Sequence, residues 1–254
     1  MADKTVKYIH TEYTHNLKAP NIIVPLVMHY LQPASVLDIG CGTGTFLRAF
    51  NDAGVTDILG IDGAWVKTDD LHVDKAYFKN ADLAKPLHLA KSFDLALCLE
   101  VAEHLSPETA DVIIGSLVNH TKIIIFSAAI VNQGGQNHIN EQDFDYWQQK
   151  FATHGYDFYD FFRPVFWNNS DVDWWYRQNM FIISHSSVKL PPEIASTKVN
   201  GTVLTYVHPA LYNSNTKKLN KLADAYNDIE TGKKPLWYYV RLLKTKLRLN
   251  KKAK

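Results

Sequence analysis

A glycine-rich turn between residues 36 and 44 constrains the fold of this chain more than any other feature of its sequence. Residues 36–39 are apolar apart from Asp38 and are typical of a buried β-strand, and Gly40, Gly42 and Gly44 follow at alternate positions. Glycines placed in this way permit a sharp turn and allow the backbone to approach a ligand closely, because no side chain intervenes. Helical apolar spacing then continues over residues 44–53. The segment therefore predicts a strand, a ligand-binding turn and a helix in that order.

Short β-branched apolar runs alternate with helical stretches between residues 35 and 185. This alternation is typical of strands joined by crossover helices, and it predicts an α/β sandwich with a mainly parallel sheet. The spacing predicts helices over residues 21–31, 44–53 and 107–119. It predicts strands over residues 35–39, 57–61, 76–79, 93–99, 122–127, 157–163 and 179–185.

Two acidic residues stand where the ligand of such a turn would present polar groups. Asp62 ends the second predicted strand, where a carboxylate accepts both hydroxyls of an adenosine ribose. Asp82 follows the third strand, where it would accept from the adenine amino group while Leu83 packs on the ring. A dinucleotide fingerprint needs its third glycine where this chain has Thr45, and no lysine follows the turn as in a phosphate-binding loop. The pattern therefore disfavours NAD and nucleoside triphosphates and favours another adenosyl ligand.

These motifs together resemble those of the class I S-adenosylmethionine-dependent methyltransferases. The first motif of that family matches residues 38–44, its ribose ligand matches Asp62, and its fourth strand matches residues 93–105. The resemblance implies a Rossmann-like sandwich with a mainly parallel seven-stranded sheet whose last strand is antiparallel, and S-adenosylmethionine as cofactor. It implies cofactor contacts from Asp38, Gly40, Cys41, Gly42, Gly44, Asp62, Gly63, Asp82, Leu83, Leu99 and Glu100.

The acceptor chemistry is predicted from two segments that follow strands four and five. Glu103 and His104 follow strand four, and His138 lies in a polar loop over residues 133–142 with paired glycines. Such a loop favours a polyhydroxylated acceptor. This loop and the tryptophan-rich residues 174–179 resemble methyltransferases of surface-polysaccharide and glycan biosynthesis. The leading prediction is metal-free O-methylation of a sugar or glycan hydroxyl, with His138 as base and His104 and Glu103 as further catalytic candidates.

Two alternatives to that prediction remain open. Carboxylate and imidazole groups at the spacing of Glu100, Glu103 and His104 can hold Mg²⁺ or Mn²⁺, with His138 completing the set. This arrangement resembles ubiquinone-pathway O-methyltransferases and small-RNA terminal 2′-O-methyltransferases, so the acceptor would be a small molecule or an RNA terminal ribose. The formal net charge of +1 argues against nucleic acid as a partner. The second alternative is a non-catalytic binding module with a methyltransferase fold.

The sequence predicts a methyltransferase domain over residues 1–188, with a helical cover at its start, and a C-terminal extension over residues 189–254. Residues 235–254 combine aromatics, leucines at helical spacing and a run of cations, which predicts a basic amphipathic helix. That helix either docks on its own domain or makes peripheral contact with a membrane, which would suit a lipid-linked glycan acceptor. We expect a cytoplasmic protein, located at the inner membrane face if the helix binds lipid.

Overall fold

The computed structural model describes residues 16–252 and divides the chain into two compact units, Met1–His208 and Pro209–Lys254. The first unit contains one sheet of seven strands in the order β3-β2-β1-β4-β5-β7-β6. The strands are β1 (Ser35–Ile39), β2 (Asp57–Asp62), β3 (Phe78–Asn80), β4 (Leu95–Leu99), β5 (Ile123–Ser127), β6 (Tyr156–Tyr159) and β7 (Phe181–His185).

The sheet is parallel except at β7, which lies antiparallel between β5 and β6. The central strands β1, β4 and β5 are buried along nearly their whole length, because helices cover the sheet, and most of their side chains are accordingly apolar. The order reverses between β1 and β4, and the carboxyl ends of these two strands therefore open a crevice. The predicted seven-stranded sandwich with an antiparallel last strand is confirmed.

The helices of the sheet unit start with α1 (Lys18–Tyr30) and α2 (Thr45–Asp52), which pack on each other and on the sheet through a shared apolar core. The helix predicted over residues 107–119 is a 3₁₀ turn followed by an α-helix from Ala110. The remaining helices are α3 (Ala110–Val118), α4 (Phe144–Ala152), α5 (Phe162–Phe166), α6 (Trp174–Asn179) and α7 (Pro192–Ala195).

The strand predicted over residues 157–163 was wrong beyond Tyr159. The chain leaves the sheet at Asp160 and forms α5, in which Arg163 is buried. The Arg163 guanidinium donates to both carboxylate oxygens of Asp160, at 2.8 and 2.7 Å, and stacks on the ring of Phe181 at 4.2 Å. A buried guanidinium needs such a paired environment, which the apolar interior of the sheet does not offer.

Among the other strands that begin later than the sequence pattern indicated, two start just after a helical turn. The third begins at Phe78, because residues 75–77 form a 3₁₀ turn in which the Asp74 carboxylate accepts from the Ala76 amide at 2.8 Å. The seventh begins at Phe181, because Asn179 is the last residue of α6. That difference places the Asn179 side chain at the crevice instead of in the sheet.

Residues 189–208, assigned from the sequence to the C-terminal extension, lie in the sheet unit. Lys198 forms a β-bridge with Tyr159, and the Val199 amide donates to the Phe158 carbonyl at 2.9 Å. The second unit consists of α8 (Pro209–Glu230) and α9 (Leu236–Lys252). The predicted C-terminal helix is present over these residues, and its last two predicted positions lie outside the described residues. Among residues 16–252, no helix has both the length and the apolar character needed to cross a bilayer.

Candidate functional site

The glycine turn closes the carboxyl end of β1 against β2. Gly40, Gly42 and Gly44 all have positive φ angles, of 83°, 52° and 77°. A Cβ atom added at Gly40 would lie 2.2 Å from a methyl carbon of Val101, so no other residue fits there. The amides of Gly40 and Cys41 donate to the Ile61 carbonyl at 2.7 and 3.2 Å. The turn is therefore held in a single conformation by its neighbours.

Asp62 connects this turn to the end of β2. Its carboxylate accepts from the Gly42 amide at 2.7 Å and from the Gly63 amide at 2.6 Å. The Trp65 ring covers Gly63, because a Cβ atom at Gly63 would lie 2.3 Å from that ring. The Asp62 carboxylate thus fixes the backbone of the glycine turn through these hydrogen bonds. The ribose contact predicted for Asp62 stays a prediction.

A cleft lies directly above the glycine turn. Its floor is the turn itself together with Leu99 at the end of β4, and its walls come from the start of α1 and from α6. The sequence pointed to the floor but not to the walls. The lining residues are Asn16, Ala19, Pro20, Asp38, Gly40, Cys41, Gly42, Thr45, Phe46, Leu99, Asp173 and Tyr176.

The cleft is acidic and fits a cationic ligand. Burial, and then the charge of Asp62, raise the pKa of Asp38 to about 8, and no cation in the described chain lowers it. Burial also raises the pKa of Asp173, although Lys18 and Arg177 oppose that rise. The Tyr176 ring packs edge-on against Phe46, with 5.6 Å between centroids, and burial raises the pKa of its hydroxyl. A sulfonium compound carrying an amino group, such as S-adenosylmethionine, would place a positive charge near the Asp38 carboxylate and so stabilise its ionised form.

Asp82 and Leu83 do not line this cleft. The exposed Asp82 carboxylate accepts from the Ala84 amide at 3.0 Å and pairs with Lys85 at 3.2 Å, while Leu83 is buried. These contacts show that the Asp82 carboxylate stabilises a local turn of the chain. The adenine contact predicted for this pair stays a prediction.

Glu100 lies at the end of β4 in a left-handed conformation, with φ of 55°, which aims its side chain at the crevice. Its carboxylate accepts from Asn179 Nδ2 at 3.1 Å and from Gln133 Nε2 at 3.2 Å. Gln178 Nε2 donates to Gln133 Oε1 at 3.1 Å and extends this amide network. Burial raises the pKa of Glu100, and the hydrogen bonds from Asn179 are the largest opposing effect. The three amides were not predicted from the sequence.

Glu103 is fully buried one turn further along the chain. Within the part of the chain that the structure describes, neither of its carboxylate oxygens accepts a hydrogen bond of normal geometry, although the amides of Glu103 and Ala129 interact with the group. Burial, followed by the nearby Glu100, raises the pKa of Glu103 well above its usual range. A buried carboxyl group with such weak hydrogen bonding is costly to the fold, and its perturbed pKa makes it a candidate for a binding or catalytic role.

His104 and His138 face each other beside this carboxyl group, with ring centroids 4.9 Å apart. Burial, followed by the proximity of His138, lowers the pKa of His104 to about 4, so its imidazole is neutral at pH 7. His138 Nδ1 lies 2.8 Å from Glu141 Oε1, which also accepts from the Gly134 amide at 2.6 Å. Glu141, to which the sequence assigned no role, therefore orients the His138 ring.

The loop that carries His138 is docked on the turn that carries Glu103. The amides of Ile139 and Asn140 donate to the Glu103 carbonyl at 2.9 and 3.0 Å. As a result Glu103, His104 and His138 each offer a ligand atom, and these atoms lie within 4.8 Å of one another. The structure thus brings together the three residues that were predicted to be catalytic. One carboxylate and two imidazoles form a donor set that suits a divalent cation such as Mn²⁺ or Mg²⁺.

Replacing Gly135 by Ala is expected to lower turnover at least tenfold while the affinity for S-adenosylmethionine stays unchanged. A Cβ atom at Gly135 would lie 2.1 Å from His138 Nε2, so the imidazole must leave its position. Displacement of a reacting group by about 1 Å costs on the order of 10²-fold in rate. Gly115→Ala in α3 is the matched control, because nothing lies within 4 Å of the added atom. Equal turnover of the two variants would contradict a role for the His138 ring.

Comparisons with known proteins identify the family and the fold. A family model described as a methyltransferase domain matches residues 15–178. A search of curated proteins found no significant match. DesVI from Streptomyces venezuelae is similar in structure, with a TM-score of 0.52 and 12% identity over 67% of this chain and 92% of that one.

Two further solved structures share the fold. CalS10, an amino pentose methyltransferase from Micromonospora echinaspora that was solved with S-adenosylmethionine bound, has a TM-score of 0.51 and 12% identity, covering 70% of this chain and 98% of that one. The methyltransferase domain of bacterial CtHen1-C has a TM-score of 0.50 and 18% identity, and the match covers 68% of this chain and 100% of that one. The alternative of a non-catalytic module is therefore set aside. The chain belongs to the methyltransferase-domain family and is an S-adenosylmethionine-dependent methyltransferase.

Proposed function

We propose that this enzyme methylates a hydroxyl group of a sugar or glycan, and that Glu103, His104 and His138 hold a divalent cation that positions the acceptor. This proposal modifies the metal-free prediction from the sequence, in which His138 acts as the base. One observation carries it. Glu103 is a fully buried carboxyl group whose oxygens accept no hydrogen bond of normal geometry in the described chain, and one ligand atom each from Glu103, His104 and His138 lies within 4.8 Å of the other two.

The imidazoles of this cluster suit a cation, and a bound cation would favour the ionised form of Glu103, whose pKa burial otherwise raises. Neutral imidazole is the form that binds metal, and the low pKa of His104 keeps that ring neutral at pH 7. The carboxylate of Glu141 on His138 Nδ1 is the second contact that typically orients a metal-binding histidine and leaves Nε2 for the ion. A bound divalent cation would lower the pKa of a coordinated hydroxyl group and so favour its attack on the cofactor methyl group.

Different residues of the site would bind the acceptor and the methyl donor. His138, whose ring Glu141 orients, would bind the cation, and Glu103 and His104 would complete the set of ligands. Glu100, fixed by Asn179 and Gln133, interacts electrostatically with His138 of this cluster and with Tyr176 of the cofactor cleft. Asp38 and the acidic wall of the cleft favour the positively charged donor over neutral adenosine compounds. The arrangement supports in-line transfer between two adjoining sites.

Charge distribution supports a sugar over an RNA acceptor. Residues 1–208, which contain the site, carry 15 lysine and arginine residues against 23 acidic residues, a formal charge of −8. A polyphosphate chain would be repelled by such a surface, whereas a sugar would not. The polar loop over residues 133–142 offers side-chain and backbone groups that can bind hydroxyls. CalS10 is described as acting on an amino pentose, so the same fold accommodates a sugar in that protein.

Removal of divalent cations tests the proposal directly. We expect a chelator to reduce methyl incorporation into the accepted sugar at least 10²-fold and Mn²⁺ or Mg²⁺ to restore it. The acceptor is found by incubating the enzyme with S-adenosylmethionine and a panel of nucleotide sugars and glycans, with mass spectrometry as readout. Turnover that is unaffected by the chelator would contradict the metal and leave His138 as a base. Methylation of RNA ends alone would contradict the sugar acceptor.

A further inference from the structure

The charges of this chain are segregated along its sequence. Residues 209–254 contain 12 of the 27 lysine and arginine residues but three of the 26 acidic residues, a formal charge of +9. The remaining residues carry −8, so the total of +1 conceals two strongly and oppositely charged parts. The boundary between them coincides with the boundary between the two compact units, at His208 and Pro209. The C-terminal unit is therefore distinct in charge as well as in fold.

Helix α9 has an apolar stripe beside a basic one. Leu236, Val240 and Leu243 recur at helical spacing, and Leu236 and Leu243 are 79% and 61% exposed. Arg241 and Lys244 are exposed at the same spacing on a neighbouring face, and the sequence continues with further cations. Trp237 stands at the start of the helix and is 63% exposed. Tryptophan is enriched where one side of a helix meets the boundary between lipid and water.

Helix α8 repeats the apolar part of this arrangement. Leu219, Leu222 and Tyr226 lie on one face, and each is more than 60% exposed. The opposite face is mixed in charge, because Asp224 follows Lys217 and Lys221 at helical spacing, and the excess of cations therefore lies in the residues after α8. Exposed leucines recur at helical spacing on both helices and form an apolar surface on this unit.

The two helices are joined by a defined turn. The Tyr239 hydroxyl donates to the Ile229 carbonyl at 2.9 Å, and Lys234 pairs with Asp228 at 2.8 Å. These contacts tie the start of α9 to the end of α8, while the leucines of both helices stay exposed. The unit is therefore built as a connected pair of amphipathic helices and not as a self-contained core.

We propose that residues 209–254 bind the surface of a membrane rich in anionic phospholipids. Apolar side chains would enter the interface while the cations contact lipid phosphates, the mode by which basic amphipathic helices bind bilayers. Nucleic acid would pair with the cations but offers no apolar layer for the exposed leucines. A second copy could cover the leucines but would bring two units of +9 together. The combination of charge and apolar surface thus favours anionic lipid.

Co-sedimentation of the full-length protein with lipid vesicles tests this inference. We expect binding to vesicles of phosphatidylcholine with about 30% phosphatidylglycerol and little binding to vesicles of phosphatidylcholine alone. Both measurements are made at physiological salt concentration. Each cation near an anionic surface contributes a few-fold in affinity, so Arg241→Gln with Lys244→Gln is expected to weaken binding roughly 10- to 30-fold. Trp237→Ser with Leu243→Ser is expected to weaken it as well. Because all four side chains are exposed, none of these variants should unfold the protein.

The matched control is Lys122→Gln with Lys189→Gln, which removes the same charge from exposed positions of the sheet unit. This variant is expected to bind vesicles like the unmodified protein. Equal loss in the control would contradict the assignment to residues 209–254. The inference would also be overturned by binding to single-stranded RNA without binding to vesicles, or by dimers in light scattering that the Trp237 and Leu243 substitutions dissociate while vesicles remain unbound. Methyl transfer to a soluble acceptor should survive the tail substitutions, which separates this test from that of the proposed function.

Discussion

Replacing Glu103 by Gln is expected to lower methyl-transfer turnover by about 10²- to 10⁴-fold and to abolish the binding of Mn²⁺ measured by calorimetry. An amide is a poor ligand for a divalent cation compared with a carboxylate, and it carries no negative charge to offset the ion. Affinity for S-adenosylmethionine should remain within a few-fold of the original value, because Glu103 does not line the cofactor cleft. The expected signature is loss of kcat with the cofactor dissociation constant preserved.

Stability measurements separate this effect from misfolding. The pKa of Glu103 is raised in the folded protein, so the folded state holds a proton that the unfolded chain releases as pH rises above about 4. Folding is therefore penalised increasingly at higher pH, and Gln removes that penalty. We expect the variant without metal to melt at the same temperature as the original protein or higher at pH 7. Glu193→Gln, at an exposed position of α7, is the matched control and should change neither turnover nor Tm.

A variant that keeps full, chelator-sensitive turnover after Glu103→Gln would refute the assignment of this carboxyl group to the metal. If turnover falls but Mn²⁺ binding is unchanged, the cation binds elsewhere and the proposal fails in the same way. A fall in both, with the melting temperature maintained, is the result that the buried cluster predicts.

The floor of the cofactor cleft and the catalytic cluster could be predicted from the sequence because both follow strand ends. Gly40 to Gly44 follow β1 directly, and Glu103 and His104 follow β4 within five residues of its end. Parallel strands bring their carboxyl ends to one edge of the sheet, so residues just after different strands converge there. His138 joins them for the same reason, as its loop follows β5.

The residues that support this site could not be predicted in the same way. Asn179 is 79 positions from Glu100 in the sequence, and Gln133 is 33 positions from it, yet all three share one hydrogen-bonded network. Likewise, the walls contributed by Asp173 and Tyr176 depend on how α6 packs above the turn. The aromatic run over residues 174–179 was assigned to the acceptor site, whereas the structure places Tyr176 in the cofactor cleft. Contacts of this kind arise from tertiary packing and leave no local periodicity.

The same distinction explains the fold. Strand β1 was predicted with its observed bounds because a buried central strand is continuously apolar. The prediction failed at residues 160–163, where Phe161 and Phe162 continue an apolar pattern but the Arg163 and Asp160 pair requires a turn into α5. A short apolar run does not distinguish a strand from a buried helix, and only the location of the charged partner decided between them.

Replacing Asp38 by Asn is expected to weaken the binding of S-adenosylmethionine by about 10- to 100-fold at pH 8 and to remove the pH dependence of that binding. The pKa of Asp38 is about 8, so below pH 8 its carboxyl group is largely protonated. A cationic ligand binds the ionised form, and affinity should therefore rise up to about tenfold per pH unit below 8 and level off above it. Calorimetry at pH 6, 7, 8 and 9 measures this slope.

The same substitution should act on stability in the opposite direction. Since the folded pKa is raised above the unfolded value of about 3.9, the ligand-free protein loses stability as pH rises from about 4 to 8, and Asn removes that loss. A variant that binds the cofactor less tightly yet melts at a higher temperature at pH 8 would show that the Asp38 carboxylate destabilises the folded protein but strengthens the binding of a cationic ligand. Asp52→Asn, at an exposed site, is the matched control and should alter neither property. A parallel decline of affinity and melting temperature in the Asp38 variant would instead mean that this carboxyl group serves the fold, and the acidic cleft would then not explain the preference for a cationic donor.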